Sequence, residues 1–184
     1  VHHPDGSPWF ILSILHDASD SPLIANGGNG EQWTDPLTGL SNRANFIRGT
    51  QVLLTDNILS ELKCFFMLMD IKNFAALNEQ YGQEIGDDLL KLFARRMKHN
   101  FRFNDLICRY DADVFMVLLA IDNLYSLNII VDRLFTDLSH PFVTHKGLID
   151  LSVSIGIAEY TPDRPAFEVV AEHAEQALQT AKQQ

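Results

Sequence analysis

The chain holds only two cysteines, Cys64 and Cys108, in 184 residues. Both fall inside apolar stretches that read as strands, which excludes a disulfide-stapled secreted scaffold and fits a reduced, cytoplasmic setting. Basic residues are scarce: 14 Lys and Arg stand against 24 Asp and Glu, for a formal net charge of −10. That balance argues against a nucleic acid polymer as partner, and an anionic nucleotide would need a metal ion or a local basic pocket. Long apolar runs are missing too. The longest, Val114 to Ile121, is far short of the roughly 20 residues a membrane helix requires, so no membrane contact is expected of this stretch of chain. No signal-peptide pattern is visible. The 7 histidines show no metal-ligand spacing, and no Ser/His/Asp or Cys/His nucleophile set stands out.

What is present is ordinary for a folded domain: 46% hydrophobic and 21% charged residues, with length for one full core. The centre of interest is Cys64 to Phe115. It opens with the apolar run Cys64-Phe65-Phe66-Met67-Leu68-Met69, which delivers Asp70. This reads as a buried strand with a carboxylate at its C-terminal end. It closes with Asp105 to Tyr110, then Asp111-Ala112-Asp113, then Val114 to Leu119, a hairpin with acidic residues at its tip. Strand, helix and hairpin in that order can set the tip beside the end of the first strand. Asp70 and Asp113 would then face each other, as carboxylates do when they hold Mg²⁺ against a nucleotide phosphate. Solvated carboxylates at strand ends would read the same way.

Before this stretch, Trp9 to Asp17 reads as a strand, and Asn26-Gly27-Gly28-Asn29-Gly30 marks 21–32 as a linker. From Trp33 the texture changes. Asp35 to Arg43 reads as a structured turn leading into a helix over Ala44 to Leu59. Helices are expected over Asn73–Tyr81, Glu84–Phe101 and Asp122–Leu138, the last with Leu124, Leu127, Val131, Leu134 and Leu138 at helical spacing. Strands are expected at Pro141–Val143 and Leu148–Ala158, joined around Lys146-Gly147, and Phe167–Lys182 is the closing helix. The fold class is therefore α/β of the α+β kind. A ferredoxin-like, mostly antiparallel central sheet is flanked by helices, the first strand and the first hairpin strand running parallel. In that topology Cys64 and Cys108 lie on non-adjacent strands, which argues against a disulfide.

Residues 1–20 resemble the last strand of a PAS sensor domain, which would make the chain part of a longer protein. Residues 33–184 resemble the GGDEF family of bacterial diguanylate cyclases. The opening signature is complete at Asp35-Pro36-Leu37-Thr38-Gly39-Leu40-Ser41-Asn42-Arg43. A second block runs from Asp70-Ile71-Lys72-Asn73-Phe74 through Asn78, Tyr81-Gly82 and Gly86-Asp87, and a third closes with Ala174-Glu175-Gln176-Ala177-Leu178-Gln179-Thr180-Ala181-Lys182. The resemblance implies a cyclase-palm fold, two GTP joined into cyclic di-GMP by a pair of domains, and hence a homodimer. It implies Asp70, the Ile71 carbonyl and Asp113 as metal ligands, with Mg²⁺ as cofactor. Asn78 and Asp87 would bind guanine, and Lys182 a phosphate.

The motif that names the family departs from pattern. Asp111-Ala112-Asp113-Val114-Phe115 stands where Gly-Gly-Asp-Glu-Phe belongs. Asp111 brings a negative charge to the phosphate path, and the glycines that let backbone approach a ligand are gone. Val114 deletes one carboxylate of the acidic pair, Ala75 replaces a lysine, and Lys72 replaces a second acid. Arg102-Phe103-Asn104-Asp105 stands at the offset of the family's inhibitory site, where a forked guanidinium suits phosphate or guanine. A surface ion pair between Arg102 and Asp105 would read the same way. The expectation is a catalytically inactive domain that senses GTP or cyclic di-GMP, within a chain carrying neighbouring sensor and EAL-type phosphodiesterase domains. A weakly active diguanylate cyclase is the alternative.

Overall fold

The structure, a computed structural model, describes residues 33–55, 62–102, 105–161 and 167–182. The expected strand at Trp9–Asp17 and the 21–32 linker lie outside them. Among the described residues twelve elements follow one another: β1 (Ser41–Asn42), α1 (Arg43–Thr55), β2 (Lys63–Ile71), α2 (Phe74–Tyr81), α3 (Gln83–Asn100), β3 (Leu106–Asp111), β4 (Val114–Ile121), α4 (Leu124–Leu138), β5 (Phe142–Thr144), β6 (Gly147–Ile149), β7 (Val153–Tyr160) and α5 (Phe167–Lys182). Five strands form one sheet in the order β1-β3-β4-β2-β7, and β5 with β6 form a separate ribbon. Only β1 and β3 pair in parallel; β3–β4, β4–β2 and β2–β7 are antiparallel. β2 and β3 therefore point the same way with β4 between them. Cys64 and Cys108 are both buried and free; burial pushes the Cys64 thiol up to about 11 and the Cys108 thiol higher still.

Strand alternation sorts the core into two layers. Odd-numbered β2 residues Phe65, Met67 and Met69 join Phe115, Val117 and Leu119 of β4 beneath α3 and α4, which contribute Leu89, Phe93, Met97 and Leu134. Even-numbered Cys64, Phe66 and Leu68 join Met116 and Leu118 beneath α1 and α5, which contribute Phe46, Phe167, Ala174 and Leu178. Phe66 is fully buried, with the rings of Phe46 and Phe167 edge-on at 6.4 and 5.7 Å, geometry favourable for aromatic pairs.

Element boundaries shift for local reasons. α4 starts at Leu124, not Asp122, because the Asn123 side chain caps it, accepting from the Ser126 N–H at 3.0 Å. Leu124 is left exposed, and Ile130 takes the buried place. Asn73 adopts a left-handed conformation, φ 56°, ahead of α2, which Asn tolerates. The single strand expected over Leu148–Ala158 is two. β6 pairs only with β5, and the chain re-enters the main sheet at Val153, after Ser152 accepts from the Lys72 N–H at 2.7 Å.

Helix α5 seats closely on β7. A Cβ on Gly156 would sit 2.3 Å from the Ala174 carbonyl oxygen and 2.4 Å from the Leu178 nitrogen, backbone atoms that cannot step aside. Gly156→Ala should therefore lower folding stability by about 2–3 kcal/mol, the scale of core overpacking, although alanine is otherwise the better strand residue. Urea unfolding at constant m-value measures it; wild-type stability in the variant would contradict the close seating of the helix.

Candidate nucleotide site

Asp70 continues the even face of β2, past Leu68, to the rim of the sheet. There β4 pairs Val114 with Asp70, and the Ile71 N–H donates to the Asp113 carbonyl at 3.4 Å. The hairpin tip thus lies beside the end of β2. Asp113 is half-buried; its carboxyl is held above the usual range by burial first and by the Asp70 charge next, with Lys182 opposing. Lys182, at the end of α5, puts its Nζ 2.7 Å from Asp70 Oδ2.

This donor set does not fit a divalent ion. The Asp70 carboxylate already carries an ammonium, and Val114 brings no carboxylate where the family motif has an acid. Among the described residues no group of three or more His, Cys, Asp or Glu is placed to hold a metal.

The tip itself is unstrained. Neither Asp111 nor Ala112 has a positive φ, Asn73 being the only such non-glycine among the described residues. Losing glycines there is therefore a matter of added side chains, not of backbone conformation. The Asp111 carboxylate accepts from the Ala112 N–H at 2.9 Å. Arg109 braces the tip from behind: its Nε donates to the Ala112 carbonyl at 2.8 Å, and its Nη1 lies 3.3 and 3.2 Å from the two Asp35 oxygens. Partial burial works against the Asp35 charge, but Thr38 and Arg109 outweigh it and hold the carboxyl below its usual range. The opening signature is thereby tied to the hairpin.

A cavity of about 500 Å³ lies between the tip and α5. Asp70, Asp111, Val114 and Lys182 line it, as do Tyr110, Glu172, Glu175, Gln176 and Gln179, which sequence reading missed. A signal was available: 172, then 175 and 176, then 179, then 182 recur every three or four residues, one polar stripe on a helix. The Arg43 guanidinium stands over the Tyr110 ring, 4.3 Å from its centroid.

Asn78 and Asp87 do not line this cavity. The Asn78 Oδ1 is buried without a partner, lying where a Cβ on Gly86 would come within 1.8 Å of it. Gly86 is thus the space into which the amide fits, and half-buried Asp87 follows it. At the opposite end of α3, exposed Arg102 donates its backbone N–H to Asp105 Oδ2 at 2.7 Å. Burial raises the Asp105 carboxyl to about 6 against the charges of Arg102 and Arg133. Arg133, on α4, donates to the Asn100 carbonyl; no sequence signal singled it out.

Gly86→Ala should displace Asn78 and destabilise the domain, and Asn78→Ala should relieve that clash. A double-mutant cycle by chemical unfolding is expected to give a coupling of about 1 kcal/mol or more. Additive effects would contradict the contact.

The chain matches the model of the diguanylate cyclase GGDEF domain over residues 32–184. It is 30% identical over 152 residues to the response regulator PleD of Caulobacter vibrioides, covering 81% of this chain and 34% of that protein. It is 31% identical over 150 residues to the diguanylate cyclase DgcP of Pseudomonas aeruginosa, covering 81% of this chain and 22% of that protein. The chain thus spans about a third or less of these relatives. Among solved structures, the GGDEF domain of TpbB (YfiN) from Pseudomonas aeruginosa superposes with a TM-score of 0.73 at 29% identity, covering 82% of this chain and 88% of that one. The mixed sheet and flanking helices are those of that fold, and the chain belongs to the GGDEF family of diguanylate cyclase domains.

Proposed function

We propose that this domain responds to a guanine nucleotide within cyclic di-GMP signalling and does not itself make cyclic di-GMP. One observation carries the reading: the Asp70 carboxylate is paired with Lys182 at 2.7 Å, while Val114 occupies the position of the family's second acid. Cyclisation requires preorganised cations where charge develops on the transferring phosphoryl group. Here that end of the site carries Asp111 and Asp113 in addition to the Asp70–Lys182 pair. If active family members work in pairs, each copy brings the same defect.

Ligand binding uses other residues. The buried, unpartnered Asn78 oxygen supports a retained guanine pocket. Arg102 with Asp105, and Arg133 close enough to oppose the Asp105 shift, support a separate place for cyclic di-GMP. There a forked guanidinium meets phosphate or a guanine edge, and a carboxylate accepts from a guanine N–H. Occupancy would position the domain, pair it with a second copy, or bias neighbouring sensor or EAL-type domains. The surviving proximity of Asp70 and Asp113 favours a second reading, a weak cyclase.

Incubation with GTP and Mg²⁺ or Mn²⁺ should yield no cyclic di-GMP; clear turnover would establish the weak cyclase instead. Calorimetry should show cyclic di-GMP binding that vanishes in Arg102→Ala, and GTP binding that vanishes in Asn78→Ala. Absence of binding to both nucleotides would remove the sensing role. Because an ionised Asp105 accepts more strongly than a protonated one, cyclic di-GMP affinity should fall as pH drops below about 6, by up to about tenfold per unit. Asp105→Asn should flatten that dependence.

A further inference from the structure

The contact between Asp70 and Lys182 follows from the packing of the whole α5 face. Gly156 pairs with Leu68 in the sheet and receives α5 on its bare backbone at Ala174 and Leu178. Lys182 lies one helical turn beyond Leu178 on the same face, so it arrives over the end of β2, where Asp70 emerges. Asp70 is closely held at the edge of the cavity. Its strand is hydrogen-bonded to β4 and β7, and its side chain is only 13% exposed. Across the sheet it pairs with Ser154, whose buried hydroxyl has no partner of its own. A carboxylate so enclosed needs a counter-charge. Among the described residues lining the cavity, Lys182 is the only Lys or Arg, facing Asp70, Asp111, Glu172 and Glu175.

We propose that Lys182 is the resident counter-cation of Asp70, occupying from within the chain the place a divalent ion would take and leaving the acidic end of the site metal-free. The lysine is delivered by a helix already seated on the sheet, so its local concentration far exceeds that of any free ion. A magnesium ion would have to displace it and shed water at a site whose carboxylates hold such an ion firmly only with phosphate oxygens beside them. The inference goes beyond nucleotide sensing and holds whether or not a nucleotide binds. It also gives the last turn of α5 a role that apolar packing does not supply, since the salt bridge anchors it to the central strand.

The test titrates Mn²⁺ against the chain and follows free ion by electron paramagnetic resonance. The wild type should show no saturable binding up to about 1 mM, the weak end of protein cation sites. Lys182→Met should bind Mn²⁺ at least about tenfold more tightly. Lys182→Arg should stay as silent as the wild type, because it restores the positive charge. Adding Asp70→Asn to Lys182→Met should abolish the gain. Lys182 is 34% exposed at the end of its helix, so these variants are expected to keep the fold, and far-ultraviolet circular dichroism checks that. Wild-type binding as tight as that of Lys182→Met would overturn the proposal. So would a Lys182→Met variant without gain, or a gain that survives Asp70→Asn.

Discussion

The constraint on which this domain depends is the double burial of β2. Both of its edges are paired, to β4 and β7, and both faces are covered, one by α3 and α4 and the other by α1 and α5. A strand enclosed in this way can carry a charge only at its end, since an ionised side chain in mid-strand would be buried without water or partner. Cys64 through Met69 are apolar, and Asp70 is the first position where the sheet's rim admits a carboxylate. The hairpin tip reaches the same rim because β4 pairs with β2 along its length.

The chemistry of that rim is set by what else converges there. Arg109 joins the Ala112 carbonyl to Asp35, so the opening turn and the hairpin behave as one unit. Both of its side chains are mostly withdrawn from solvent, which makes this pair more consequential than a surface ion pair. On the other side, the polar stripe of α5 closes the cavity with glutamates and a single lysine. The result is a pocket whose charged lining is four carboxylates, Asp70, Asp111, Glu172 and Glu175, and one lysine. The Asp70–Lys182 pair offsets one of these charges.

The two candidate ligand regions differ in how they are built. Asn78 owes its position to a void: Gly86 has no side chain, and the amide occupies the space. Asp105 owes its position to the turn after α3, where its carboxylate accepts from the Arg102 backbone. Of that pair, Asp105 therefore has a local structural duty, whereas the Arg102 side chain is exposed. Arg133 joins them only because α4 packs across α3, with Arg96 donating to carbonyls of the turn after α4, including that of Pro141.

Several features were legible from residues alone because they rest on short-range physics. Strand alternation in Cys64–Met69, helical spacing in Glu84–Phe101 and the closing helix Phe167–Lys182 depend on local periodicity, and each appears with its expected face or bounds. The placement of Asp113 at the end of β2 followed from element order. Other features waited for tertiary structure. The break between β6 and β7 depends on which partner strand each finds, and an apolar run cannot announce that. Arg133 and the α5 stripe lie far in sequence from the residues they meet. Above all, nothing in the spelling of the chain shows that Lys182 turns back onto Asp70. That contact requires α5 to rest on the bare backbone of Gly156, and only the folded packing decides it.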